Sequence, residues 1–532
     1  MRSVKALAAM AALSLLAVST IAFAGEPKQG GILRMYHRDS PGSASIHEGA
    51  TYSLNVPFMP VFNNLVIYKQ DVAQNSMDTI VPDLAESWAW VNDNKTLTFK
   101  LRQGVKWHDG KPFTSADVKC TFDMLMGKSQ QKFRQNPRKS WYSEVNDVST
   151  NGDFEVSFNL KRPQPSLLAL LASGYTPVYP CHVSPADMRT HPIGTGPFKF
   201  VEFKTNESIK LTRNPDYWKK GRPYLDGIEF TIITNRSTAI LAFVAGKFDM
   251  TFPTEVSIPL LKDVKSQDPS AVCVVEPNNV STNIIVNSTA PPFDNIDIRR
   301  AMAMALDRKA FISILFEGQA DIGGTMLPAP AGLWAMPKEM LESIPGYGPD
   351  VNASREAAKK LMQKAGYGPD KHLAVKVSTR NIPVYRDPAV ILIDQLKSIY
   401  IDGELDVVET ANWFPKIARK DYMLGLNLTG NAVDDPDQSF YENYSCGSER
   451  NYTNYCNKDI EKLFDVQSQE TDAGKRKKIV WDIDKKLQED VARPIIFHAR
   501  TGTCWKLYVK GVTVMSNSSY NGYRYEDVWL DK

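Results

Sequence analysis

The residues of this sequence that could carry redox or metal chemistry are its six cysteines and seven histidines. Cys446 and Cys456 lie in a polar stretch with no histidine or further cysteine at the spacing of a zinc site. This pattern favours a disulfide over metal binding, and closing so short a loop stabilises a fold by up to about 3 kcal/mol. The sequence leaves the other pairing open; one arrangement joins Cys120 to Cys181 and Cys273 to Cys504.

The short motifs that mark hydrolases, metallopeptidases and nucleotide-binding proteins are absent from the sequence. The nearest approach is Gly194-Thr-Gly196, which lacks the later glycine of a dinucleotide fingerprint and is followed by Pro197. The histidines are scattered, as structural and surface histidines are. We therefore predict no catalytic residue, no metal site and no cofactor, although a catalytic set gathered from distant positions would leave no motif.

The first two dozen residues have the pattern of an export signal. Arg2 and Lys5 precede an apolar run from Ala6 to Ala22, and Ala22-Phe23-Ala24 offers small residues for a signal peptidase. A transmembrane anchor is the alternative, but the run is short for a hydrocarbon core of about 30 Å. We predict a cleaved signal peptide over residues 1–24 and a periplasmic protein. The six cysteines agree with this location, because disulfides form in an oxidising compartment.

Composition excludes several classes of partner. The formal net charge is only +3 over 532 residues, which predicts neither a nucleic-acid partner nor a polybasic membrane surface. The length corresponds to about three domains of ordinary size. No heptad pattern suggests assembly, so we expect a monomer.

Segments with the periodicity of strands and of helices alternate along the chain. Leu97, Phe99 and Leu101 alternate with polar residues, which is typical of a half-buried strand. Similar β-prone runs include 271–276 and 283–287. Thr114-Ser-Ala-Asp117 is a capping box that predicts the start of a helix. The sequence therefore indicates an α/β chain with mixed sheets.

Further helices are predicted in the second half of the chain. One begins near Asp297, a second is expected to be capped by Asn352 and to end at Gly366, and a third covers residues 387–400. Residues 457–492 read as two more helical pieces. Proline- and glycine-rich breaks at 328–332 and 345–349 predict surface loops.

Several motifs in fixed order resemble the family 5 extracellular solute-binding proteins. The most specific begins with Leu84-Ala-Glu-Ser-Trp-Ala-Trp90 and continues from Leu97 through Gly-Val-Lys-Trp-His-Asp-Gly110 to Val118. It is followed by Gly194-Thr-Gly-Pro-Phe198, Arg213-Asn-Pro-Asp-Tyr-Trp218 and Arg299-Arg-Ala-Met-Ala-Met-Ala-Leu-Asp307. The likeness extends from about residue 30 to residue 510.

This resemblance implies a periplasmic-binding-protein-like fold with two lobes, a hinge between them and an extra inserted domain. Domain I would comprise residues 25–75, 193–289 and 501–532, domain II the insertion 76–192, and domain III residues 290–500. The ligand would lie between domains I and III, and its contacts with both lobes would favour the closed form.

The resemblance also implies ligand-binding residues. Arg380, in Val377-Ser-Thr-Arg-Asn-Ile-Pro383, is similar to the arginine that holds the ligand carboxylate in peptide-binding members. The aspartate that holds the ligand ammonium is replaced by Ala432, with Asp434 as a neighbouring substitute. We therefore hypothesise that the ligand is not an ordinary peptide with a free amine.

Two further residues, Trp413 and Asn431, are predicted to contact the ligand. Trp413 stands at the start of a predicted helix where the family often places aromatic residues, with a core position as the alternative. Near the first strand, Tyr36, His37 and Ser45 are candidates from their position alone.

Together these observations predict a periplasmic receptor that delivers a peptide or another small solute to the membrane subunits of an ABC importer. A metal chelate, an opine or a sugar is the alternative ligand within the family. A secreted hydrolase with the same two lobes is the alternative outside it.

Overall fold

The computed structural model describes residues 26–532. The predicted signal peptide, residues 1–24, lies outside the described residues. In the part that is described, no helix is long and apolar enough to cross a membrane, and no group of three histidine, cysteine or acidic residues is placed to hold a metal ion.

The strands within residues 26–532 are, in chain order, β1 (Ile32–His37), β2 (Val66–Tyr68), β3 (Ile80–Pro82), β4 (Ala85–Val91), β5 (Thr96–Leu101), β6 (Val145–Thr150), β7 (Glu155–Leu160), β8 (Phe198–Lys204), β9 (Ser208–Arg213), β10 (Gly227–Ile232), β11 (Val272–Val286), β12 (Ala320–Asp321), β13 (Leu373–Arg380), β14 (Ile401–Val408), β15 (Leu424–Gly430), β16 (Ile495–Trp505), β17 (Val509–Lys510) and β18 (Trp529–Leu530).

The α-helices of the same range are α1 (Tyr52–Phe58), α2 (Ser115–Met126), α3 (Leu167–Leu171), α4 (Pro185–Met188), α5 (Arg236–Val244), α6 (Ile258–Gln267), α7 (Ile296–Ala305), α8 (Arg308–Phe316), α9 (Lys338–Glu342), α10 (Val351–Lys364), α11 (Pro383–Lys397), α12 (Thr410–Ala418), α13 (Pro436–Asn443), α14 (Lys458–Gln469) and α15 (Ala473–Glu489). Short 3₁₀ turns cover Ile46–Glu48, Met59–Val61, Met77–Thr79 and Lys139–Tyr142.

The larger strands form three sheets. A mixed sheet has the order β1-β10-β9-β8, with β1 parallel to β10. An antiparallel sheet has the order β4-β5-β7-β6, and a six-stranded mixed sheet has the order β12-β16-β11-β15-β13-β14. The first two sheets share one large hydrophobic core. The segments that pack around this core are called the first lobe. The six-stranded sheet packs with α7, α8, α10 and α11 around a second core, here called the second lobe.

Strands β11 and β16 connect the two lobes. They pair antiparallel from Val272 opposite Trp505 to Asn283 opposite Ile495. At one end, Cys504 and Trp505 belong to the core of the first lobe. At the other end, Ile284 and Ile496 belong to the core of the second. Two crossing strands of this kind are consistent with the predicted two-lobed fold.

All six cysteines form disulfides. Cys446 and Cys456 are joined, as predicted. The pairing that the sequence left open is Cys120 with Cys181 and Cys273 with Cys504. Because Cys273 and Cys504 stand opposite each other on β11 and β16, this bridge fastens the two connecting strands at their first-lobe end.

Most of the predicted elements are confirmed. Leu97, Phe99 and Leu101 of β5 are buried, because alternate side chains of a strand point to the same face. Helix α2 begins with the predicted capping box of Thr114 and Asp117.

The β-prone runs 271–276 and 283–287 both overlap the strand β11, whose register shifts between Pro277 and Ser281. Two other details of the element predictions are wrong. Helix α10 is capped by Asp350 instead of Asn352, because the Asp350 carboxylate accepts a 2.9 Å hydrogen bond from the Ala353 amide. Helix α11 begins at Pro383, four residues before the predicted start, since proline fits the first position of a helix.

Candidate functional site

A cleft lies between the two lobes. Its walls come from both of them, which is the placement expected for a ligand site between lobes. The lining residues are Arg38, Ala50, Thr51, Tyr52, Arg236, Thr254, Glu255, Ser257, Asn278, Val280, Thr282, Leu315, Phe316, Arg380, Pro383, Val384, Tyr385, Asp387, Pro388, Phe414, Leu428, Gly430, Arg450, Phe497, Ala499, Thr501, Ser519 and Tyr520.

The ends of strands and helices position these side chains. In the first lobe, Arg38 directly follows β1 and Tyr52 opens α1, which Thr51 caps by accepting from the Leu54 amide. In the second lobe, Arg380 is the last residue of β13 and Phe414 lies in α12. Residues of β11 and β16 form the floor of the cleft where the two lobes meet.

Arg380, the predicted carboxylate-binding residue, lines this cleft and bonds across it to the first lobe. Its Nη2 donates to Asp39 Oδ2 and, at 3.3 Å, to Ser53 Oγ. Its Nε donates to Thr410 Oγ1 at 2.8 Å, and the Thr410 hydroxyl donates to the same Asp39 oxygen at 2.6 Å. Arg380 is 1 % exposed and Asp39 is 3 % exposed, so the two lobes share a buried ion pair.

A second charged group spans Arg38, Glu255 and Arg236 in the first lobe. The Glu255 carboxylate pairs with Arg38 at 3.2 Å and with Arg236 at 3.1 Å. Arg236 also lies 4.0 Å from Asp387 of the second lobe. Burial raises the pKa of Asp387, which Arg236 and Arg386 partly oppose.

A third group surrounds Arg450. Its guanidinium pairs with Glu442, and Trp141 Nε1 donates to the same carboxylate. Although burial alone would lower the pKa of Arg450, the Glu442 charge holds it above the ordinary value of an arginine. Arg450 is 4 % exposed and Glu442 is 1 % exposed.

Aromatic rings supply much of the remaining wall. The centroids of the Tyr385 and Phe414 rings lie 5.4 and 5.9 Å from the Arg380 guanidinium. Phe316 and Phe497 pack edge to face at 5.1 Å. Rings of this kind hold apolar or planar ligand groups, while the hydroxyl and amide groups of the wall can bond to polar ones.

A second chamber borders the main cleft. The two spaces share Ala50, Thr51, Phe414 and Arg450 as walls.

The other three predicted ligand-binding residues lie outside the lining of the cleft. Trp413 is fully buried in a small hydrophobic cluster with Ile285, Ile417 and Tyr452, and its neighbour Phe414 lines the cleft instead. Asn431 is buried directly after the lining residue Gly430.

Asp434 faces a loop of its own lobe and the C-terminal segment of the chain. It accepts hydrogen bonds from the Leu333 amide at 3.2 Å and from Asn517 Nδ2 at 3.4 Å. Burial raises the pKa of Asp434 to about 7. The Ala432 carbonyl accepts from Ser518 Oγ and from Asn521 Nδ2, so polar side chains of that segment bond to this turn.

The candidates from the first strand lie behind the cleft wall. Tyr36 and His37 are buried in the first lobe, and burial lowers the pKa of His37 to about 4. Ser45 is likewise buried, near the Tyr179 hydroxyl. None of these three residues is among the cleft-lining residues of the described chain.

Sequence reasoning missed Asp39, Glu255, Arg450 and Tyr520. Glu255 and Tyr520 stand in no motif, and they reach the cleft only because the chain crosses between the lobes. Asp39 lies two residues after the end of β1, and Arg380 is the last residue of β13. The position of charged residues at strand ends was the available signal for this pair.

Comparison with known proteins shows the following. The sequence profile described as bacterial extracellular solute-binding proteins, family 5 Middle, matches residues 79–451. Di/tripeptide-binding protein 1 of Pseudomonas aeruginosa (strain UCBPP-PA14) is 26% identical over 492 residues, 86% of this chain and 88% of that protein. Oligopeptide-binding protein AppA of Bacillus subtilis (strain 168) is 26% identical over 536 residues, 96% of this chain and 93% of that one.

Solved structures have the same fold. The periplasmic binding protein DppA from Helicobacter pylori, in complex with the peptide STSA, superposes with a TM-score of 0.84 at 22% identity. The match covers 95% of this chain and 99% of that one. AppA from Bacillus subtilis, in complex with a nonapeptide, gives a TM-score of 0.83 at 24% identity and covers 95% and 100% of the two chains.

Proposed function

Because the chain belongs to the family 5 bacterial extracellular solute-binding proteins, we propose that it is a periplasmic receptor for a peptide-class solute. It captures this solute in the cleft between the lobes and delivers it to the membrane subunits of an ABC importer. The observation that carries the proposal is a cleft lined from both lobes, which the paired strands β11 and β16 connect. Ligand contacts with both lobes favour the closed form.

The relatives favour peptides as the ligand class. Two aligned relatives are named for di- and tripeptides or for oligopeptides, and both alignments cover more than four fifths of each chain. The aromatic rings and the hydroxyl and amide groups of the cleft suit a peptide backbone with mixed side chains.

We propose that the receptor binds its ligand without chemical turnover. Each charged side chain that lines the cleft lies in an ion pair with another residue of the protein. A general base or nucleophile would instead need a group free to exchange a proton with the substrate.

Three domains are proposed within this function. Residues 25–75, 193–289 and 501–532 form domain I, residues 76–192 form the inserted domain II, and residues 290–500 form domain III. The sheet β1-β10-β9-β8 falls within the first set and the sheet β4-β5-β7-β6 within the second, which supports this division.

Arg380 is proposed as a ligand-contact residue because it lines the cleft. Asn431 is proposed because it directly follows the lining residue Gly430. Its buried Oδ1 also has no hydrogen-bond partner among the described residues. Trp413 and Asp434 stay predictions from the family resemblance.

Calorimetric titration with pools of dipeptides and tripeptides tests the function. We expect binding, a decrease in the radius of gyration on closure, and thermal stabilisation. At a ligand concentration of 100 times Kd the stabilisation amounts to about 2.7 kcal/mol. Mass spectrometry should recover the peptides intact. Absence of binding to every peptide pool would contradict the peptide class, and cleaved peptides would contradict a receptor without turnover.

A further inference from the structure

We propose that Asp39 determines the specificity of the cleft by occupying the anion-binding edge of Arg380. The receptor therefore selects ligands that present an uncharged oxygen, and not a carboxylate, to this arginine. For a peptide-class ligand this means a blocked or amidated end, or a backbone carbonyl, beside Arg380. The inference rests on the proposed function of the cleft and defines its ligand class further.

Asp39, Ser53 and Thr410 surround the guanidinium of Arg380. Two of its three nitrogens are engaged: Nη2 by Asp39 and Ser53, and Nε by Thr410. The Thr410 hydroxyl bonds to Arg380 and Asp39 at the same time, which fixes the position of the carboxylate. Asp39 thus supplies from within the protein the carboxylate that an arginine in a cleft would otherwise take from a ligand.

The Asp39 carboxylate carries a negative charge beside Arg380. Burial alone would raise the pKa of Asp39, but the charges of Arg380 and Arg38 hold it well below the usual range of an aspartate. Asp39 is therefore ionised at neutral pH and cancels the charge of Arg380. A ligand carboxylate at this position would lose its hydration and would meet a like charge close by, and both effects oppose binding.

The other arginines of the cleft also have their charges neutralised by carboxylates of the protein. Glu255 pairs with Arg38 and with Arg236, and Glu442 pairs with Arg450. Each of the four arginines among the described lining residues thus has a carboxylate of the protein within 4.0 Å. A ligand anion would have to displace one of these internal partners.

The remaining contacts of Arg380 suit a neutral group. None of the three hydrogen bonds described for its guanidinium uses Nη1, and an arginine N–H can donate to a carbonyl or amide oxygen. The ring centroids of Tyr385 and Phe414 lie 5.4 and 5.9 Å from this guanidinium. An amide plane beside these rings would keep the ion pair intact.

Matched pools of tripeptide acids and tripeptide amides test this inference by calorimetry on the full chain. We expect the unchanged protein to bind the amides at least as tightly as the acids. In Asp39→Asn, which frees Arg380 but keeps the side-chain shape, we expect the ratio of acid to amide affinity to rise by tenfold or more.

Asp465→Asn is the matched control, because Asp465 also pairs with an arginine across two segments of the fold, Arg162, but lies outside the cleft. This variant should keep the acid-to-amide ratio of the unchanged protein. The inference is overturned if the unchanged protein binds the acids more tightly than the amides, or if Asp39→Asn leaves the ratio unaltered.

A second measurement separates this inference from the proposed function. If no peptide pool binds either protein, the peptide class is wrong, and thermal unfolding in acetate or in acetamide then decides the role of Asp39. Acetate should raise the Tm of Asp39→Asn more than acetamide does and leave the Tm of the unchanged protein unaffected. Equal responses of the two proteins to acetate would refute the capping of Arg380 by Asp39.

Discussion

Several of the buried ions in this protein occur in compensated pairs. Arg524 and Asp83 are both fully buried, 3.0 Å apart in the first lobe, and Arg450 and Glu442 form a similar pair beside the cleft. Removing one partner of such a pair leaves a charge without solvent or counter-ion, which costs more than removing both.

The pair of Arg380 and Asp39 provides a direct test at this scale. Arg380→Met should lower the free energy of unfolding by about 3–5 kcal/mol, because Asp39 then stays buried without its ion-pair partner. Adding Asp39→Asn to this variant should recover part of the loss. Urea denaturation of both single variants and the double variant gives the coupling energy. Strictly additive losses would mean that the two side chains do not interact.

Asp434 provides a pH-dependent test. Its pKa of about 7 in the folded protein exceeds that of an unfolded aspartate, about 3.9, so the folded state binds more protons between these values. Stability from this group is fully present below about pH 4 and is lost as the pH rises through about 7.

Asp434→Asn should therefore raise stability at pH 8 by roughly 2–4 kcal/mol, since an amide keeps the acceptor oxygen without the charge. Thermal unfolding from pH 5 to pH 8 measures the effect. Asp78→Asn, on an exposed turn, is the control. A variant as pH-sensitive as the unchanged protein would contradict the assignment.

At the scale of elements, the connecting strands β11 and β16 determine how the lobes are joined. Both run from one hydrophobic core to the other, and the disulfide between Cys273 and Cys504 fastens them in the first lobe. Their second-lobe ends carry no such bridge in the described chain. A hinge motion is therefore expected to bend the strands on the cleft side of this disulfide.

Helix α2 offers a test of an element that the sequence predicted. Asp117 accepts from the Thr114 amide at 3.0 Å and from the Cys181 amide at 2.9 Å, and also from Trp107 Nε1. Thr114→Ala removes a cap and should cost about 1 kcal/mol. Asp117→Ala leaves several buried donors unpaired and should cost roughly 3 kcal/mol.

Thermal unfolding measures both losses. Thr150→Ala, an exposed position at the end of β6, should change stability by less than about 0.5 kcal/mol. Equal losses for Thr114→Ala and Asp117→Ala would show that the capping box alone accounts for the role of Asp117.

At the scale of the whole molecule, ligand binding in the cleft and closure of the lobes are expected to be coupled. Val280 of β11 lines the cleft floor. Val280→Trp should fill part of the cleft and weaken ligand binding by a hundredfold or more, because the large ring occupies the ligand volume. Calorimetry with the peptide pools measures the loss, and circular dichroism checks that the fold is retained.

Val407→Trp is the matched control, since Val407 is 44% exposed on the edge strand β14. It should bind peptides as the unchanged protein does. Normal binding by Val280→Trp would place the ligand elsewhere than in this cleft.

The sequence by itself determined the family, the two-lobed class of fold, many of the strands and helices, and the disulfide between Cys446 and Cys456. These features depend on local patterns: the alternation in β5, the capping box of α2, and two cysteines ten residues apart. Local patterns survive in the sequence because neighbouring residues act together wherever the chain is placed.

Only the tertiary structure decided what surrounds Arg380. Its partner Asp39 is 341 residues away in sequence, and Glu255 and Tyr520 reach the same cleft from other segments of the chain. The pairing of Cys273 with Cys504 across 231 residues was likewise left open. Contacts of this kind depend on how the two lobes meet, and neither the spacing nor the periodicity of residues in the sequence encodes that arrangement.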